Sequence, residues 1–164
     1  MAKAYFTPYG VGLGHASRMM MLAERLGDSD VDIRFSSFGE GAHYISMQGY
    51  ECMTVPPVEF AWSIEGGFSV KYSISNIPLW FTNFPRQIRD EINNIIKYDP
   101  NIVVSDTRLS SLVASKILNI PSIVILNQVK LLLSPRLREF KISRTWEKMN
   151  GELLGLIWRI ADRI

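Results

Sequence analysis

One cysteine, Cys52, stands in a chain of 164 residues. That scarcity excludes an internal disulfide framework and a cysteine-rich metal site, and it suits a reducing compartment. No apolar run approaches the ~18 residues of a membrane-spanning helix; the longest lies near residues 120–126 and contains Pro121. The opening residues Met1-Ala2-Lys3-Ala4-Tyr5-Phe6 lack the apolar core of a signal peptide, so a cytoplasmic protein is expected. There is no internal repeat and no low-complexity segment. No Gly-Lys-Ser/Thr follows the glycine-rich stretch, which excludes a nucleotide-triphosphate P-loop.

What is present is core material. Hydrophobic residues make up 47% of the chain and charged residues 21%, which excludes a disordered or fibrous polymer. The length suits one domain, since domains run ~100–200 residues. The net charge of +2 conceals an asymmetry: residues 1–129 carry 10 Lys/Arg against 12 Asp/Glu, and residues 130–164 carry 8 against 4. The basic end fits either a solvated helix face or contact with a phosphate-bearing partner or surface.

Hydrophobic periodicity alternates along the chain. Residues 4–8 form a β-like run, followed by Gly10-Val11-Gly12-Leu13-Gly14. Ala16, Met19, Met20, Ala23 and Leu26 then recur at helical spacing, with Gly27 placed to end the helix. Strands are expected at 31–38, 50–55, 101–105 and 120–126, with a short helix at 41–48. Ile88, Ile92, Ile95 and Ile96 mark one further helix face, and Leu109, Leu112, Val113 and Ile117 another. Residues 58–85 are irregular in pattern. Strands that are β-branched rather than alternating imply a parallel sheet covered on both faces, a doubly wound, Rossmann-like α/β domain. Near the end, Trp146, Met149, Leu153, Leu156, Ile157, Ile160 and Ile164 continue a helical stripe to the last residue without a stop signal. Residues 1–142 are therefore expected to be the Rossmann-like domain, and 143–164 a helix leading towards a second one.

In such a sheet, ligands bind outside the carboxyl ends of the strands. Three strand ends carry polar residues of interest. Gly12 and Gly14 lie where a loop opens a helix, allowing close backbone approach and offering free N–H groups to an anion. The spacing is G-x-G-x-G, and the second strand ends in Ser36-Ser37-Phe38 without an acid, so dinucleotide binding is poorly supported. His15 and Arg18, three residues apart, share a helix face; the histidine suits a base or a hydrogen-bond donor. Asp106 and Thr107 end the fourth strand, where either would also serve as a helix N-cap. Asn127 and Gln128 end the fifth, as ligand-facing amides or as a turn.

Taken together, these segments resemble the N-terminal half of GT-B-fold glycosyltransferases, in the group of the peptidoglycan N-acetylglucosaminyltransferase and the diacylglycerol sugar transferases. The likeness rests on Gly12-Leu13-Gly14-His15-Ala16-Ser17-Arg18, on Asp99-Pro100-Asn101-Ile102-Val103-Val104-Ser105-Asp106, and on Leu118-Asn119-Ile120-Pro121-Ser122-Ile123, with Asn127-Gln128 after it. It covers roughly residues 1–130. One departure is Met19-Met20-Met21, where many relatives carry a proline.

The resemblance implies sugar transfer from a nucleotide-sugar to an acceptor held between two Rossmann-like domains, with this one on the acceptor side. His15 and Asp106 would be the catalytic residues, and Gly12, Gly14, Arg18, Thr107, Asn127 and Gln128 would bind substrate. The donor would be held mostly by a C-terminal domain absent from this chain, so the chain alone is expected to be inactive. No metal, cofactor or nucleic acid is expected. Two apolar-plus-basic segments, 77–86 and 130–138, are candidates for peripheral contact with the inner face of a membrane bearing a lipid acceptor; an interdomain surface is the other reading. The alternatives are a nonenzymatic α/β module binding a phosphate ligand, and a related sugar-nucleotide epimerase.

Overall fold

A computed structural model describes residues 1–27, 29–58, 77–126, 144–145, 148 and 155–164. The β-rich runs become five parallel strands: β1 (Ala2–Pro8), β2 (Val31–Ser37), β3 (Cys52–Thr54), β4 (Ile102–Asp106) and β5 (Ser122–Ile125). Between them run α1 (Gly14–Leu26), α2 (Gly39–Met47), α3 (Ile77–Tyr98) and α4 (Leu109–Ile117). The sheet order is β3-β2-β1-β4-β5. Progression reverses between β1 and β4, so the crevice that such sheets use for ligands opens above those two strands.

Alternation along β1 explains the two layers. Ala4 and Phe6 point into a cluster with Ala16, Met19, Met20 and Ala23 of α1, Phe35 of β2, Ile45 of α2 and Val104. Tyr5 points the other way, to Ile95 and Tyr98 of α3, Val103 of β4 and Ala114 of α4. Both faces are covered, as the doubly wound reading requires. The apolar stripe of α1 is the one expected from spacing.

Two other helix faces differ from expectation. On α3 the buried side chains are Gln87, Glu91, Ile95 and Tyr98, whereas Ile96 is 62% exposed. Gln87 Nε2 donates to the Pro56 carbonyl (2.7 Å), and Glu91 pairs inside the protein, so these polar groups hold the inner face. On α4 the inward residues include Ser110, Ser111 and Ser115, while Ile117 is 61% exposed. Small hydroxyl residues let the helix approach the sheet closely. Ser115 Oγ donates to the Leu112 carbonyl (2.8 Å) and Ser111 Oγ meets Thr7 Oγ1 at 2.7 Å, which satisfies these two hydroxyls within the protein.

α3 begins at Ile77, within the stretch expected to be irregular, and passes through Pro85. At the other end the helical stripe stops short of the last residue. Trp158–Ile160 is a 3-10 turn, Ala161 takes extended backbone (φ −65°, ψ 147°), and Arg163 pairs in parallel with Ile123 on the outer edge of β5. Trp158 and Ala161 pack on Leu112 and Val124. No described helix is long and apolar enough to cross a membrane.

Gly10 is the tightest point of the loop after β1. A Cβ there would lie 2.2 Å from the Phe38 carbonyl oxygen and 2.6 Å from its ring, whereas one on Gly14 would meet nothing within 4 Å. Gly10→Ala is expected to lower unfolding stability by about 1–3 kcal/mol through overpacking, with Gly14→Ala close to neutral; urea denaturation of the two variants checks this.

Candidate active site

Adjacent β1 and β4 bring their following loops together. The Tyr9 N–H donates to the Asp106 carbonyl (3.0 Å), tying the start of the glycine loop to the end of β4. Gly12 takes φ +67°, a left-handed conformation that an L side chain resists. α1 then starts at Gly14 with no side-chain cap, so its first N–H groups and dipole face the crevice.

The first turn of α1 places His15 beside Asp106. His15 Nδ1 lies 2.8 Å from Asp106 Oδ1. Arg18, one turn further along α1, donates from Nε to Oδ2 (2.8 Å) and from Nη2 to Oδ1 (2.9 Å). The Thr107 hydroxyl donates to Oδ1 as well (3.1 Å). The Asp106 side chain has no exposed surface, against 20% for His15 and 36% for Arg18. A buried carboxylate is costly unless charge and hydrogen bonds answer it, and here three side chains do. The Tyr9 ring stands edge-on to the imidazole, centroids 5.7 Å apart, and edge-on to Phe38 at 5.3 Å.

Such an arrangement has a definite chemistry. A carboxylate accepts only, so His15 donates through Nδ1–H and, when neutral, carries its lone pair on Nε2. Nε2 has no hydrogen-bond partner among the described residues. An oriented imidazole with a free basic nitrogen can take a proton, and the carboxylate behind it balances the charge that results.

The expected N-capping role of Asp106 or Thr107 is not what the structure holds. Arg108 occupies the N-cap of α4, without a side-chain cap. Asp106 serves the crevice, and Thr107 takes φ +60°, which is rare for a β-branched residue. Gly12, Gly14, His15, Arg18, Asp106 and Thr107 thus gather at one rim; Asn127 and Gln128 lie outside the described residues.

Sequence reading missed the support beneath this rim. Arg108, 2% exposed, turns into the core, where its Nη2 pairs with Glu91 of α3 and its Nη1 donates to the Ser36 carbonyl (2.6 Å). Glu91 also accepts from the Tyr5 hydroxyl and from Ser36 Oγ, both at 2.7 Å. Burial pushes the Tyr5 phenol up to about 12 and the Arg108 guanidinium down to about 10, so near neutral pH the first remains a neutral donor and the second a cation. Among the described residues no group of three or more His, Cys, Asp or Glu could hold a metal ion.

A parallel sheet wound on both faces in the order β3-β2-β1-β4-β5 has the architecture of one half of a GT-B fold. The family model described as "Glycosyl transferase family 1" matches residues 2–145, and the chain belongs to that family. An uncharacterized glycosyltransferase of Methanosarcina mazei is 30% identical over 120 residues, spanning 73% of this chain and 31% of that protein. The chain thus spans about a third of the length of this curated relative. Among solved structures, Acinetobacter baumannii MurG superposes with TM-score 0.58 at 8% identity over 93% of this chain and 40% of its own. A putative UDP-N-acetylglucosamine 2-epimerase of Listeria monocytogenes does so with TM-score 0.56 at 13% identity, over 99% and 38%. At such identities the superpositions speak for the fold.

Glu91→Gln removes the charge that answers buried Arg108. It is expected to cost about 3–5 kcal/mol of stability, the usual result of stranding one member of a buried pair, as measured by denaturant unfolding.

Proposed function

We propose that this chain is the acceptor-side half of a glycosyltransferase that moves a sugar from a nucleotide-sugar to an acceptor hydroxyl. The observation that carries the proposal is the 2.8 Å contact between His15 Nδ1 and buried Asp106 at the carboxyl rim of the sheet. In this reading the acceptor oxygen forms a bond to the anomeric carbon as the bond from that carbon to the diphosphate oxygen breaks. The electron pair leaves with the diphosphate, and the hydroxyl proton passes to His15 Nε2. Asp106 holds the ring in the right tautomer and stabilises the imidazolium. Gly12, Gly14, Arg18 and Thr107 border the acceptor cleft in this reading, and Asn127 and Gln128 are assigned to substrate binding on the family resemblance alone. The uncapped start of α1 offers N–H groups to the negative charge that develops on the leaving diphosphate.

Residues 1–142 form the Rossmann-like unit in this proposal, and 143–164 lead towards a second domain that holds most of the donor nucleotide. Because the cleft needs both halves, the 164-residue chain alone turns over no substrate. The deciding experiment is a screen of nucleotide-sugars against acceptors with the full-length protein. His15→Ala and Asp106→Asn are expected to lower kcat by about 10²–10⁴-fold, and the isolated chain to give no product. Unchanged kcat in His15→Ala would remove this mechanism; conversion of a nucleotide-sugar without any acceptor would favour the epimerase, and an absence of chemistry with retained phosphate-ligand binding would favour the nonenzymatic module.

The same proposal sets the protein in the cytoplasm, touching the membrane's inner face. Its support is the start of α3, where Leu79 and Phe81 are 56% and 78% exposed and Arg86 and Arg89 follow, a mixture that anionic lipid attracts; the second such segment, 130–138, lies outside the described residues. Flotation is expected to carry the full-length protein up with vesicles containing anionic lipid and to leave it behind with neutral ones.

A further inference from the structure

Directly after Asp106 the backbone does something unfavourable. Thr107 has φ +60°, and a β-branched residue there carries backbone strain that only surrounding structure can hold. The restraints are identifiable. Ser105 Oγ donates to the Arg108 carbonyl (2.8 Å) and accepts the Arg108 N–H (3.1 Å), closing residues 105–108 into a tight turn. The Thr107 N–H donates to the Ile125 carbonyl of β5 (3.2 Å).

From this turn the two flanking side chains leave in opposite directions. Asp106 goes up to His15 and Arg18. Arg108 goes down through the sheet, to Glu91 of α3 and to Ser36 of β2. Glu91 is fixed in its turn by Tyr5 of β1 and by Ser36, so the anchor below the turn is attached to three separate elements.

We propose that Arg108 and Glu91 are positioning residues for the His15–Asp106 pair. Pulled into the core by Glu91 and the Ser36 carbonyl, Arg108 holds the turn in its strained form, and the turn sets the direction of the Asp106 carboxylate. Neither residue touches the crevice; both act through residues 105–107. The inference deepens the glycosyltransferase reading and relies on it only for the pair's role in catalysis, since the geometry can be read without any substrate.

Loss of stability alone would not separate positioning from ordinary core support, so the test uses two variants of the full-length protein, labelled with 15N-histidine. Glu91→Gln strands Arg108 and is expected to destabilise. The double variant Glu91→Leu/Arg108→Met replaces the pair by apolar groups of similar size, and such swaps commonly restore stability. Histidine ring NMR reports the tautomer of His15 and the protection of its Nδ1–H, the signal being assigned by its disappearance in His15→Gln. In the unaltered protein a protected Nδ1–H is expected. The double variant is expected to regain denaturant stability while the Nδ1–H signal is lost to exchange with water, because the turn then loses its side-chain anchor and keeps only the Ser105 and Thr107 hydrogen bonds. A protected His15 Nδ1–H in the stable double variant would overturn the proposal, as would a protected signal in a folded Glu91→Gln protein. If the double variant fails to fold, the Glu91→Gln spectrum decides; if neither folds, Arg108→Lys, which retains the cation but not the two-pronged contact, is read for the same loss. Failure of the sugar-transfer screen would leave these spectra unaffected, so the two proposals fail separately.

Discussion

A carboxylate with no exposed surface, at the carboxyl rim of the sheet, constrains what surrounds it. Asp106 ends β4, next to β1, and its oxygens must be answered within hydrogen-bond reach. The answer comes from α1 through His15 and Arg18, residues three apart and therefore on one helical face. That requirement sets the rotational phase of α1, and with it the inward stripe of Ala16, Met19, Met20 and Ala23. The core beneath α1 and the crevice in front of it are satisfied by the same helix orientation.

Close backbone approach makes this possible. The Gly41 N–H donates to the Gly10 carbonyl (3.0 Å), so the first turn of α2 rests against the loop that leads into α1. Tyr9 fills the angle between the two helix starts, with its ring against both Phe38 and His15. One side of the imidazole is thereby walled by an aromatic edge, which limits its rotation and leaves Nε2 as the approachable atom.

Much of this was legible in the sequence, for reasons that also explain what was not. Strand and helix order followed from β-branched runs and glycine punctuation, because parallel strands bury both faces. The α1 stripe was readable because its inward residues are apolar. On α3 and α4 the inward positions include Gln87, Glu91, Ser111 and Ser115, and hydrophobic spacing is blind to polar groups satisfied inside a protein. His15 and Asp106 were each recognisable as strand-end residues. Their hydrogen bond depends on β1 lying beside β4, a neighbour relation that local pattern does not carry. Arg108 and Glu91 sit on different elements and, read along the chain, look like ordinary solvated charges.

The short pairing of Arg163 with Ile123 bears on a different property. Among the described strands β5 is the outer one on its side, and its sequence, Ser122-Ile123-Val124-Ile125, is apolar and rich in β-branched residues. An open edge of that composition is a template on which another chain can add a strand. Residues 162 and 163 take up part of this edge: the Val124 N–H donates to the Arg163 carbonyl (2.9 Å), and the Ser122 N–H to Asp162 Oδ2 (2.8 Å). Residues 162 and 163 thereby occupy hydrogen-bonding positions of the β5 edge that an added strand would otherwise use.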